Sequence, residues 1–153
     1  MCVMKKIWIL ILSLSVFSSV FATGNCSDKK FDDIKSKATQ MEKAWDAADL
    51  KKVVSFYDND FIYMGGGKLY TDKQDVLKHY NDTFTTAADG KKNMGKIKLN
   101  YQYCREIDEK HQLVVLEFVW NSPSGKVVKG HDLLIWEKDK KNSNKIIVDF
   151  PQQ

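Results

Sequence analysis

Residues 113–150 read LVVLEFVWNSPSGKVVKGHDLLIWEKDKKNSNKIIVDF. Three apolar runs are separated by two polar turn clusters, the pattern of the centre of an antiparallel sheet. Alternate side chains of a strand point to opposite faces. Leu113, Val115, Glu117 and Val119 share one face, and Val114, Leu116, Phe118 and Trp120 share the other. His131, Leu133 and Ile135 likewise oppose Asp132, Leu134 and Trp136. Both faces are largely apolar, whereas an antiparallel sheet with one wet face alternates more cleanly. Helices are expected to cover one face and a second copy of the chain the other.

Working outward, Lys96 to Asp108 alternates strictly. Ile97, Leu99, Tyr101, Tyr103 and Ile107 are expected on one face, with Lys96, Lys98, Asn100, Gln102 and Cys104 on the other. Further upstream the period becomes helical: Phe31, Ile34, Ala38, Met41, Trp45 and Ala48 recur at three and four residues. Ser27 or Asp28 can cap that helix. Asp49 reads as the cap of a short second helix through Leu50, Val53, Val54 and Tyr57. Asp58-Asn59-Asp60 reads as a turn and Phe61 to Met64 as a short strand. Gly65-Gly66-Gly67 bends the chain back through Lys68 to Tyr70. Thr71 with Gln74 reads as a capping box for a third helix, whose apolar face is Val76, Leu77, Tyr80 and Phe84. Ala87 to Asn93 reads as loop.

At the start, Lys5 and Lys6 precede an apolar run from Ile7 to Phe17 and then the small residues ending at Ala22. This is the layout of a secretory signal peptide over residues 1–22, too short in its apolar run for a membrane span. Its removal leaves 131 of the 153 residues, enough for one domain over 23–153. It also removes two lysines, leaving 22 basic and 20 acidic residues from the full chain's 24 and 20. A formal +2 is no basis for nucleic-acid binding. The expected compartment is bacterial, periplasmic or secreted, with no membrane attachment after cleavage. Cys2 leaves with the signal, so Cys26 and Cys104 remain as an even pair in an exported protein. They are read as a disulfide, two unpaired thiols being the other reading.

The order of elements, and the stretch AWDAADLKKVVSFYDNDFIYMGGGKLYTDKQDVLKHY at 44–80, resemble the nuclear transport factor 2-like superfamily. Within it the SnoaL-like and ketosteroid-isomerase-like groups are the most similar. The resemblance covers nearly all of the mature chain. It implies an α+β, cystatin-like cone: N-terminal helices packed in a curved, mixed, mostly antiparallel sheet, with a pocket at the open end. Such proteins include isomerases, cyclases, dehydratases and binding domains, so the fold does not give the function. In the ketosteroid isomerase group an aspartate base ends the first strand, and a tyrosine and a late-strand aspartic acid hold the oxyanion. In this chain the base position falls at Met64 and the tyrosine position near Met41. Asp132 matches the late-strand acid. One donor without a base is not a steroid isomerase.

Trp45, Tyr57, Phe61, Tyr63, Tyr80, Phe84, Trp120 and Trp136 are candidate pocket walls in a chain that is 12% aromatic; ordinary core is the competing reading for most. Tyr63 and Trp120 stand out because their polar tips need a partner. His131 and Asp132 are adjacent and cannot both line one pocket unless a bulge intervenes. The ligand-binding set is therefore Asp132 or His131 with Tyr57, Tyr63, Trp120 and Trp136. A carboxylic acid buried among apolar groups stays protonated and can donate to a ligand carbonyl or hydroxyl. No metal or cofactor is expected: His79, His111 and His131 lack ligand spacing, and Gly65-Gly66-Gly67-Lys68 lacks the spacing of a phosphate loop. Three functions follow. The first is an exported, non-catalytic binding module for a small apolar ligand. The second is an isomerase- or lyase-type enzyme using Asp132 or His131 as acid or base. The third is a homodimeric scaffold with a filled cone. A filled cone would support the third, a cavity with no ionisable group the first, and a cavity holding Asp132 beside a second titratable group would revive the second.

Overall fold

The computed structural model describes residues 24–88, 91–138 and 143–152. The expected signal peptide lies outside them. Among the described residues no helix is long and apolar enough to cross a membrane.

The fold is α+β. A helix α1 (Asp28–Asp46) and a short α2 (Leu50–Val54) open it, after a two-residue strand β1 (Gly24–Asn25). A hairpin β2 (Tyr57–Gly65) and β3 (Lys68–Tyr70) leads to α3 (Lys73–Phe84). The segment expected as loop carries a small separate hairpin, β4 (Thr86–Ala88) and β5 (Lys91–Asn93). Four long strands follow: β6 (Lys96–Glu106), β7 (His111–Asn121), β8 (Val127–Lys138) and β9 (Asn144–Gln152). The main sheet runs β1-β6-β7-β8-β9-β2-β3. All its pairs are antiparallel except β2 with β9, so the sheet is mixed.

Helix α1 buries Ile34, Ala38 and Trp45, three of the residues at the helical period. Asp49 caps α2 by accepting from the Lys52 N–H. The cap of α3 is Asp72, not Thr71; its carboxylate accepts from the N–H groups of Gln74 and Asp75. A carboxylate at that place satisfies two free N–H groups and faces the positive end of the helix.

The inner face of the sheet is Val114, Leu116 and Phe118 of β7 with Leu134 and Trp136 of β8, all buried. Their partners of opposite parity are half-buried or exposed, Leu133 at 41%. Strict alternation fails in three places, each at a register slip. On β6, Tyr101 pairs Leu116 and Tyr103 pairs Val115, so Gln102 is an extra residue. Beyond it the parity inverts: Tyr103 is turned out and Cys104 is buried. That inversion brings Cys104 to Cys26, with which it forms a disulfide, Cα atoms 5.4 Å apart. On β9, Trp136 pairs Ile146 and Ile135 pairs Val148, leaving Ile147 extra. On β2 the slip spans Tyr57 to Ile62, so Asp58-Asn59-Asp60 lies within a bulged strand rather than a turn. Bulges re-aim the side chains that follow them.

Candidate functional site

The open end of the cone holds a cavity of about 660 Å³. Trp45 of α1, Tyr80 and Phe84 of α3, and Trp120 of β7 form its aromatic wall. Trp45–Tyr80 at 69° and Phe84–Trp120 at 88° stand edge to face and Trp45–Phe84 is tilted at 59°, with centroids 5.1–5.6 Å apart. Both indole N–H groups donate to one acceptor, the Met94 carbonyl, at 3.2 Å from Trp45 and 2.7 Å from Trp120. Gly95 makes that anchor sterically feasible. Its φ is +72°, and a Cβ there would collide with the Asn121 carbonyl.

Asp132 of β8 and Asp149 of β9 both line this cavity. The pairing of β7 with β8 is unbroken from His111 to Asn121, so no bulge lets His131 share the inner face with Asp132. His131 is exposed on the outer face, and its place in the ligand-binding set is corrected for that reason. Asp132 as a residue is half-buried, yet its Oδ1 is shut off from solvent without a protein partner. Asp149 is 5% exposed, and its Oδ1 is also buried without a protein partner. A second, smaller cavity of about 70 Å³ lies behind the pair, walled by Met41, Tyr101, Leu116 and Ile146.

The other Asp149 oxygen, Oδ2, accepts a short hydrogen bond from the Tyr57 hydroxyl. The Tyr57 and Tyr80 hydroxyls are 2.8 Å apart, and Tyr80 also meets Tyr63. Each phenol has one proton. With Tyr57 donating to Asp149, Tyr80 must donate to Tyr57. The chain of donors thus runs from Tyr80, on the cavity wall, through Tyr57 to Asp149, and the Tyr63 ring packs edge-on against Tyr80.

Burial pushes the carboxyl of Asp132 well above the usual range, and the neighbouring Asp149 charge adds to the shift. Burial also pushes Asp149 up, to about 6, against the opposing pull of the Tyr57 hydrogen bond. Tyr57, Tyr63 and Tyr80 are raised by burial first, then by their acidic and phenolic neighbours, so they stay neutral. His79 is lowered, mainly by burial. Two acids of unequal proton affinity therefore sit together in one cavity, an arrangement that can separate an acid role from a base role.

Of the expected ligand-binding residues, Asp132, Tyr63 and Trp120 line the cavity. Tyr57 does not reach it but holds Asp149 from behind. Trp136 is fully buried core, its indole N–H without a protein partner, because its turn of β8 lies deeper in the cone than Asp132. Phe61 is core as well. Asp149 was not legible. Counted by twos from Ile146, it falls on the outer face, and only the extra Ile147 turns it inward.

Comparison with protein-family models and with curated protein sequences gives no match. Solved structures do match, and they share the nuclear transport factor 2-like fold. An NTF-2-like protein of unknown function from Shewanella oneidensis has a TM-score of 0.69 at 19% identity, covering 81% of this chain and 99% of its own. A ketosteroid isomerase-like protein from Erwinia carotovora atroseptica has a TM-score of 0.61 at 17% identity, covering 80% and 95%. A putative calcium/calmodulin-dependent protein kinase II association domain from Xanthomonas campestris has a TM-score of 0.59 at 14% identity, covering 85% and 94%. The chain therefore has the fold of the nuclear transport factor 2-like superfamily.

Proposed function

We propose that this is an exported protein that binds a small, mostly apolar molecule in the open end of its cone, with the ligand's polar end against Asp132. One observation carries this reading: a buried carboxyl oxygen without a protein partner, facing a roomy cavity walled by aromatic rings. A cone built only to be filled gains nothing from that oxygen, since an unmet buried acceptor costs about 1–3 kcal/mol. Export rests on the lysine-led apolar segment at residues 5–22. A homodimer through the outer face rests on Tyr103 and Leu133, each about 40% exposed on a sheet whose helices lie on the other side.

Asp149 specifically favours a second reading, proton transfer of the isomerase or lyase kind. Asp132 would be the acid and Asp149, tied to the tyrosine chain, the base. His131 has no part in it, being on the outer face.

Native mass spectrometry of the exported, mature protein tests the binding reading. The wild-type chain should carry a small molecule that is lost from Asp132→Leu, while Leu133→Asn on the opposite face keeps it. Retention of the same ligand by Asp132→Leu would refute the assignment.

A further inference from the structure

We propose that the ligand class is an organic ammonium ion: a protonated amine on an apolar or aromatic body, its N–H groups on Asp132 and Asp149 and its charge boxed by Trp45, Tyr80, Phe84 and Trp120. This deepens the binding reading above and rests on it.

The first support is the number of unmet acceptors. Asp132 and Asp149 each bury one oxygen with no protein partner. A single proton shared between two neighbouring acids leaves more acceptors than donors. A ligand carbonyl adds another acceptor, and a hydroxyl adds one donor. An ammonium group brings up to three donors and a charge that permits the second acid to ionise.

The second support is the charge of the cavity. Among the described residues that line it, the side chain with a fixed positive charge is Lys126, exposed on the β7–β8 turn at the rim. His79, the other basic group there, is held toward its neutral form by burial. The acids on the floor therefore have no resident cation. Buried charges are normally paired, and here the ligand can supply the partner.

The third support is the wall. Four rings set at 59–88° to one another present faces and edges around one space. Ring faces attract cations, the more so out of water. The indole N–H groups, which would repel a cation, are turned away onto the Met94 carbonyl.

The titratable and charged groups around the pair are Tyr57 and Tyr63 of β2, Tyr80 and His79 of α3, Tyr101 of β6 with Glu42 of α1 beside it, and Lys126. The tyrosines hold their protons more tightly than usual, and His79 holds its proton less tightly. Between mildly acidic and neutral pH Asp149 ionises and the remaining charge on His79 is lost, and both changes should strengthen cation binding as pH rises.

The test uses two probes of one shape, 3-phenylpropylammonium and 3-phenylpropan-1-ol, titrated against the mature protein. Quenching of Trp45 and Trp120 fluorescence is the readout, with calorimetry alongside. At neutral pH the ammonium should bind about thirtyfold tighter than the alcohol, the worth of a desolvated cation–π contact before any gain from the acids. Its affinity should rise from mildly acidic to neutral pH, while that of the alcohol should not. Asp149→Asn should remove most of that pH dependence and most of the preference, while His79→Gln leaves both largely in place. Lys126→Gln, at the rim, should sharpen the preference. Equal affinities, or a tighter alcohol, would overturn the ammonium assignment and leave the pocket reading standing. Binding of neither probe to a protein with normal melting would overturn both. Solvation of the two oxygens by water alone would appear as binding without charge preference, which also counts against the proposal.

Discussion

Strands β8 and β9 are neighbours, and each delivers one aspartate to the floor of the same cavity. They do it differently. Along its pairing with β7, β8 is regular, so Asp132, Leu134 and Trp136 fall on the inner face by simple alternation. β9 carries an extra residue at Ile147, and only that slip places Asp149 inside. The regular strand owes its inward set to hydrophobic pattern. The bulged strand spends its regularity on a polar side chain that the pattern would have turned outward. A sheet can therefore aim a functional group against its own period when one residue is inserted upstream of it.

The largest effect should come from the regular strand. Trp136 is fully buried, and Trp136→Ala should lower stability by about 3–5 kcal/mol through the cavity it leaves. Trp136→Phe should cost much less, since the indole N–H it removes has no protein partner. Urea unfolding measures both; equal losses would mean that the indole makes a contact worth more than its packing.

A somewhat smaller effect, visible only as a function of pH, should come from the bulged strand. Folded Asp149 keeps its proton up to about pH 6, whereas in the unfolded chain it loses it near the ordinary carboxylate value. The folded state then binds more protons in that window, so stability is fully present below the unfolded value and is lost as pH rises through the folded one. Asp149→Asn cannot titrate. Its stability relative to the wild type should rise by on the order of 3 kcal/mol from about pH 3.5 to about pH 7.5. A constant difference across that range, by denaturant titration, would show that Asp149 is not held protonated.

The smallest effect on stability should come from the outer face of the regular strand. Leu133→Glu sits next to Asp132 in sequence and opposite to it in space. It should change monomer stability by only about 0.5 kcal/mol, as surface substitutions do. It should nevertheless split a homodimer and leave the ligand bound. Light scattering at micromolar concentration reads the first outcome. Loss of ligand from this variant would mean that the two faces of β8 are not independent.

The sequence by itself determined much of this protein. The period of Ile34, Ala38 and Trp45 sets α1, Asp49 sets the start of α2, and the alternation of residues 113–120 and 131–136 sets the inner face. These are local signals, and burial of an apolar face enforces them. The inward Asp132 belongs to the same class, because its strand keeps a strict period of two. Tertiary structure alone decided the rest. Gln102 and Ile147 are chemically ordinary, and nothing in their side chains marks them as extra residues. Which residue is left unpaired depends on where the neighbouring strand begins its hydrogen bonds. That choice turned Cys104 toward Cys26, and it set Asp149 beside Asp132 and within reach of the Tyr57 hydroxyl. The pairing of two acids in one cavity is a property of register between strands, and register is a contact between distant segments that no single stretch of sequence contains.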